Sequence, residues 1–319
     1  MPNDLPRISA LLPSRNGERY LSRLVSCILL MLREHDELIV VNDGSTDNSA
    51  LVLANLAGND ARLKILTTEA VGLVAALNLG IDKAKNPWIA RFDVDDEYAP
   101  DRINLQRQLI KDNVVAIFSD YSFISSTGFW LGTVPSAITS NAIKLSLVNS
   151  QRTPHPIALM NRAMVLSVGS YKVEDFPAED LGLWFRLAEK GEFLAVPKPL
   201  LSYRLSGGSI SSSNRREQLA KKDQLISDFQ SWQALTESCI QEFPNTVSCY
   251  LGQQKSTSRI ILHLQDILKA ARFSGIKVLV IKLTFTLPFL TLIKIPFVLI
   301  DIFAKTITRR VYRLVKNLL

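Results

Sequence analysis

Between residues 8 and 118 the chain alternates short apolar runs with amphipathic stretches, and that alternation restricts its possible folds most. Apolar runs at 8–12, 37–41, 63–66, 88–92 and 114–118 have the length of buried strands. Helical periodicity fills the intervals at 18–32, 49–56, 74–83 and 101–111. Strands separated by helices of this length predict an α/β architecture, a mostly parallel sheet with helices on both faces. Ligands of such sheets bind outside the carboxyl ends of the strands, and the polar motifs of this chain fall there.

The most acidic of these ends follows the run 88–92, where Asp93, Asp95 and Asp96 stand within four positions. Like charges at that spacing repel unless a cation lies among them. Carboxylate oxygens suit a hard divalent ion, Mg2+ or Mn2+. A strand-end Asp-x-Asp can therefore hold a metal bound to a phosphate; a solvated acidic turn before the next helix is the alternative. The segment 12–17 contributes Pro13, Arg15 and Asn16 but is not a G-x-G-x-x-G loop, and no Walker A sequence occurs. In the segment 40–49, Asp43 ends a strand and Gly44 permits a sharp turn. A carboxylate there can accept the imide N–H of a uracil ring, or can cap the following helix together with Ser45 and Asp47. In the segment 69–80, Gly72 and Asn78 frame a helix start beside the expected phosphate position, although Asn78 also suits a helix surface. His155, between Pro154 and Pro156, is rigidly placed and suits an acceptor contact better than core packing. Arg204 suits either a diphosphate contact or a surface ion pair.

Taken together, Pro13-x-x-Asn16, Val41-Asn42-Asp43-Gly44-Ser45-x-Asp47, Asn78-x-Gly80 and Asp93-Val94-Asp95-Asp96 resemble the family 2 glycosyltransferases of the GT-A fold, in order and spacing over about residues 6–210. The resemblance is to the bacterial branch that builds O-antigen, capsule and exopolysaccharide. It implies a nucleotide-diphospho-sugar donor, most often a UDP-sugar, and inversion of the anomeric centre. It also implies that Asp43 holds the base, with Pro13, Arg15, Asn16, Gly72, Asn78, Asp93, Asp95 and Arg204 on the donor side. Asp95 and Asp96 would hold the divalent metal, Mn2+ or Mg2+. The family's acidic pair opening a later helix corresponds to Glu179 and Asp180. Asp180 is then the candidate general base, with helix capping as its competing role, and Glu179 faces the acceptor. Two departures stand out: Leu77 replaces an Arg common in relatives, and Leu205-Ser206 stands where many have a His. A sugar nucleotidyltransferase would normally carry a Gly-rich basic loop after the first strand, which 13–17 matches poorly. A degenerate member serving as a membrane-bound assembly partner is the other alternative.

Charge divides the chain. Residues 1–210 carry 21 Lys/Arg and 23 Asp/Glu, whereas residues 211–319 carry 16 and 7. A net −2 over the first part argues against a basic groove for nucleic acid. The net +9 beyond suits an anionic membrane surface. The expected organisation is a catalytic domain over 1–210 and a helical, membrane-associating region over 211–319, divided at the Ser/Gly-rich stretch 206–213. Helices are expected at 215–242 and 258–273. The run 283–300 is apolar but interrupted by Pro288, Lys294 and Pro296, which weakens a spanning reading. Beyond it, Lys305, Arg309, Arg310, Arg313 and Lys316 alternate with apolar residues, as in a helix lying at a membrane interface. A tail of this kind fits a glycan or polyprenyl-diphosphate-linked acceptor at the membrane. Cys27, Cys239 and Cys249 show no metal-type spacing, and no leader is expected before the first strand, which Met1-Pro2-Asn3-Asp4 enters directly. A reducing cytoplasmic setting, with peripheral attachment to the inner face of the plasma membrane, is the expectation.

Overall fold

The structure, a computed structural model, describes residues 5–137, 139–149, 153–205, 215–229, 234–235 and 237–239. The expected boundary loop at 206–213, the helix at 258–273, the run 283–300 and the basic tail lie outside the described residues.

The five expected strands form, and each helix between them buries its apolar stripe. Strands β1 (Ile8–Ser14), β2 (Glu37–Asp43), β3 (Leu63–Thr68) and β4 (Trp88–Arg91) are linked by helices α1 (Glu18–Met31), α2 (Ser49–Leu56) and α3 (Leu73–Lys83). They lie side by side in parallel in the order β3-β2-β1-β4. Alternate strand residues supply two cores. Leu11, Ile39, Val41 and Ile89 pack with Val74, Leu77 and Ile81 of α3. Ala10, Leu12, Leu38, Val40 and Ala90 pack with Leu21, Leu24, Val25 and Ile28 of α1. Gly80 lets α3 close on the sheet, since a Cβ there would lie 2.1 Å from Cδ1 of Leu11.

The second half is less regular in sequence and mixed in strand direction. It comprises β5 (Glu97–Tyr98), α4 (Arg102–Arg107), β6 (Val114–Ile124), β7 (Trp130–Val134) and α5 (Ser140–Ser146). There follow β8 (Leu159–Asn161), α6 (Arg162–Ser167), α7 (Glu179–Ala188), β9 (Glu192–Arg204) and α8 (Arg215–Asp228). The sheet continues past β4 as β8-β6-β9-β5, with β7 on β6. β8 is antiparallel to both β4 and β6, and β6 is parallel to β9. The apolar runs 193–196 and 200–204, which by pattern alone predict two short closing strands, are one strand, β9. Its register against β6 steps from Ser119↔Val196 to Asp120↔Pro199. Pro197 and Pro199, which lack an N–H for the ladder, account for that irregularity. Helix α8 packs on the α7 side, with Ile226 buried in the core and Phe229 stacked on Phe185 at 4.8 Å.

Candidate functional site

Three loops leave the carboxyl ends of β1, β2 and β4 on one edge of the sheet. In register, Leu11 of β1 pairs with Arg91 while Ser14 pairs with Asn42. Asp43 and Asp93 therefore emerge on the same edge with β1 between them, about 10 Å apart at the spacing of adjacent strands.

The first two loops are stitched together. Asn16, in the left-handed region at φ 55°, accepts the Thr46 N–H at 2.8 Å, and its own N–H donates to Ser45 Oγ at 2.9 Å. Asp47 accepts the Ser49 N–H at 2.9 Å and the Glu18 N–H at 3.1 Å, so it serves the first turns of α1 and α2 together. Those bonds hold its carboxyl below the usual range. Arg15 is exposed and Pro13 is buried in β1. Asp43 is buried and grips the third segment. Its Oδ1 accepts from Thr68 Oγ1 and the Val71 N–H, each at 2.7 Å, and its Oδ2 accepts the Gly72 N–H at 2.9 Å. Gly44, at φ +58°, makes this closeness possible: a Cβ there would lie 2.4 Å from Ala70 N. Gly72 takes φ 91° at the start of α3.

The acidic loop is fixed from below and from the side. Below, Arg102 is fully buried, its guanidinium 4.1 Å from the Phe92 ring and 4.8 Å from that of Tyr98. It donates to the Arg91 carbonyl at 2.7 Å. The Tyr98 hydroxyl accepts the Asp93 N–H at 2.6 Å. From the side, Arg204 buckles the loop. Its N–H donates to Asp96 Oδ1 at 2.7 Å, and its guanidinium donates to the Asp95 carbonyl, Glu97 Oε1 and the carbonyls of Ser125 and Ser126. Four of the five guanidinium N–H groups are thus engaged with protein acceptors. Arg204 is only 7% exposed, so it forms a buried clamp rather than a surface ion pair.

Asp96 bears on the metal expectation. Its Oδ2 is buried without a hydrogen-bond partner. Burial first, then the charges of Asp93 and Asp95, push its carboxyl well above the usual range. An orphaned carboxylate oxygen amid two further acids is the environment a cation relieves. Among the described residues no three His, Cys, Asp or Glu side chains form a complete metal cage. An ion held by one or two carboxylates and completed by substrate phosphates needs no such cage.

The acidic pair of α7 belongs to the same electrostatic cluster. Arg91, 1% exposed at the end of β4, pairs with Asp93 at 2.7 Å. Its positive charge also acts on Glu179, Asp180, Tyr171 and His155. Burial and the neighbouring Asp180 push the Glu179 carboxyl up to about 7. Burial also raises Asp180, whose Oδ1 accepts the Leu181 N–H at 2.7 Å. Asp180 thus makes a local contact at the opening of α7 and remains half-buried at the cluster.

Two expected site residues stand elsewhere. His155 is interior rather than on an open acceptor face: its Nε2 lies 2.5 Å from the Tyr171 hydroxyl and its ring meets Trp184 edge-on at 6.0 Å. Desolvation drives its pKa well down. The side chain of Asn78 is paired with the Tyr171 backbone, donating to its carbonyl at 2.9 Å and accepting its N–H at 3.1 Å. It ties the segment before α7 to α3. Sequence patterns assigned no role to Arg91, Arg102 or Tyr171. The available signal was an arginine inside an apolar strand run, which requires a buried acid nearby.

This sheet, with its three stitched edge loops and acidic turn, is the nucleotide-diphospho-sugar transferase (GT-A) fold. A crystal structure of S. aureus TarS 1–349 in complex with UDP-GlcNAc shares the fold at TM-score 0.59 and 18% identity, covering 84% of this chain and 83% of that one. Glycosyl transferase family 2 matches residues 9–167, and the chain belongs to that family. The UDP-Glc:alpha-D-GlcNAc-diphosphoundecaprenol beta-1,3-glucosyltransferase WfgD of Escherichia coli is 27% identical over 234 residues, 70% of this chain and 86% of that protein. An uncharacterized glycosyltransferase of Rickettsia conorii is 27% identical over 205 residues, 64% of this chain. The match spans only 33% of that relative's length.

Proposed function

We propose that the chain is an inverting glycosyltransferase. It moves a sugar from a nucleotide-diphospho-sugar, a UDP-sugar, to a hydroxyl of a glycan or lipid-linked oligosaccharide in bacterial cell-surface polysaccharide synthesis. The observation that carries this reading is the meeting, through Arg91, of the acidic loop 93–97 with the Glu179–Asp180 pair on one sheet edge. WfgD and the UDP-GlcNAc complex of TarS support the donor and acceptor classes.

Asp43 and the loop 68–72 that it fastens form the base end of the donor site. Asp95 and Asp96 would hold a divalent ion, Mn2+ or Mg2+. When bound, such an ion neutralises charge on the departing diphosphate. Asp180 takes the acceptor proton as the acceptor oxygen bonds to the anomeric carbon. The bond from that carbon to the diphosphate oxygen breaks, and its electron pair leaves with the nucleotide. Attack opposite the leaving group inverts the centre. Residues 1–210 act as the catalytic part, and the basic, apolar region beyond 211 attaches the protein to the cytoplasmic membrane surface.

Incubating the full chain with UDP-, GDP- and dTDP-sugars and Mn2+ tests the donor class. Preference for a donor other than a UDP-sugar overturns the UDP assignment. Asp180→Asn should lower kcat by about 100- to 10,000-fold with donor affinity, measured by calorimetry, intact. Near-normal turnover removes Asp180 from the reaction. Sedimentation of the full chain with anionic vesicles but not with neutral ones is the expected result for attachment.

A further inference from the structure

Helix α8 lies beyond the family match, which ends at residue 167, yet it runs along the helix that carries the candidate base. Two contacts fix its alignment. Gln218 donates to the Pro177 carbonyl at 2.9 Å, and Phe229 stacks on Phe185 at 4.8 Å with an interplanar angle of 14°. Both helices therefore advance in the same direction, from 218 to 229 against 177 to 185. Interpolating between the contacts puts residue 222 level with about residue 180. The face is equally defined. Gln218, Lys221, Lys222 and Leu225 are half-buried and Ile226 is buried, at the i, i+3/i+4 spacing of one helix face, while Leu219, Ala220, Asp223 and Gln224 are exposed. Of the two lysines there, Lys221 donates to Gln224 Oε1 at 3.0 Å in an exposed bond, which leaves Lys222 as the cation directed toward α7.

We propose that Lys222 is a positioning residue: its ammonium, delivered by α8, holds Asp180 in the charged form that takes the acceptor proton. The inference rests on the assignment of Asp180 as the base. Asp180 is raised by burial, and both Lys222 and Arg91 oppose that rise. Lys222 is itself lowered by burial, against the charges of Asp180 and Asp223. The groups facing Asp180 are thus Glu179 on α7, Arg91 at the end of β4, Tyr171 before α7 and Lys222 on α8. Arg91 is already committed to Asp93. Lys222 supplies the second positive charge to a site with an excess of acids.

The test compares wild type with Lys222→Gln, Lys222→Arg and Asp180→Asn in the full chain. The titration of Asp180 is followed through its 13C carboxyl resonance, identified by its loss in Asp180→Asn. Lys222→Gln should raise the midpoint by about one pH unit. The acid limb of kcat should move upward equally, lowering kcat about tenfold on that limb, with KM for the donor unchanged. Lys222→Arg should restore both. A merely structural role for the lysine would change thermal stability and leave the midpoint alone. An unmoved midpoint in a folded Lys222→Gln protein overturns this inference while leaving the transfer reaction standing. An Asp180→Asn protein that still transfers sugar overturns both.

Discussion

Glu179 and Asp180 are adjacent acids at the opening of α7, in a poorly solvated volume shared with Arg91 and Asp93. Holding two negative charges there is costly, so the Glu179 carboxyl keeps its proton up to about pH 7. The consequence for stability has a definite sign. Between the ordinary value of 4.5 and about 7, the unfolded chain ionises this carboxyl and the folded chain does not. Stability from this group is complete below that window and is lost as pH rises through it. Glu179→Gln should therefore raise Tm relative to wild type at about pH 8 and leave it nearly unchanged near pH 4.5, as checked by thermal unfolding at both values. At this scale the sequence was readable where an acid stood at a strand end, as with Asp43 and Asp93. It was less so where side-chain direction decides the outcome. Two flanking prolines rigidify His155 but do not say whether the ring turns outward; packing with Tyr171 and Trp184 turns it inward.

Helix α4 is short, and a buried ion pair ties it to the opposite edge of its core. Arg107 and Asp36 pair directly, with side chains 2% and 1% exposed. Asp36 also accepts the Ile8 N–H at 2.8 Å and the Arg33 N–H at 2.8 Å. Removing the arginine leaves a buried carboxylate with an uncompensated charge. Arg107→Met should destabilise the fold by about 3–5 kcal/mol, read from denaturant unfolding, whereas exposed Lys83→Met should change little. The elements legible in advance were those with a full period of pattern, such as α1 and the parallel strands. β8 was not, because three residues are too few to show alternation. β9 was divided by its two prolines, and the hairpin of β6 and β7 was hidden in a stretch rich in Ser and Thr.

On the scale of the whole molecule, the described domain and the region beyond it differ in charge rather than in sign of hydropathy alone. The −2 over residues 1–210 and the +9 over 211–319 place the cationic surplus away from the acidic loop. Among the described residues no helix is long and apolar enough to cross a membrane. The sheet itself is two half-sheets, β3-β2-β1-β4 and β6-β9-β5 with β7, joined through the three residues of β8. Until Leu159–Asn161 leaves the ribosome, β4 has an open outer edge, and the halves have no common ladder. Synthesis thus produces the half β3-β2-β1-β4 first and cannot fasten it to the rest until halfway through translation. Stalled nascent chains exposing residues up to about 150 should be cleaved readily by protease near β4, and those exposing about 205 should resist. Equal resistance of the two would mean that the first half closes its own edge. The same open edge would give a trigger-factor-type holdase a brief, defined interval in which to bind.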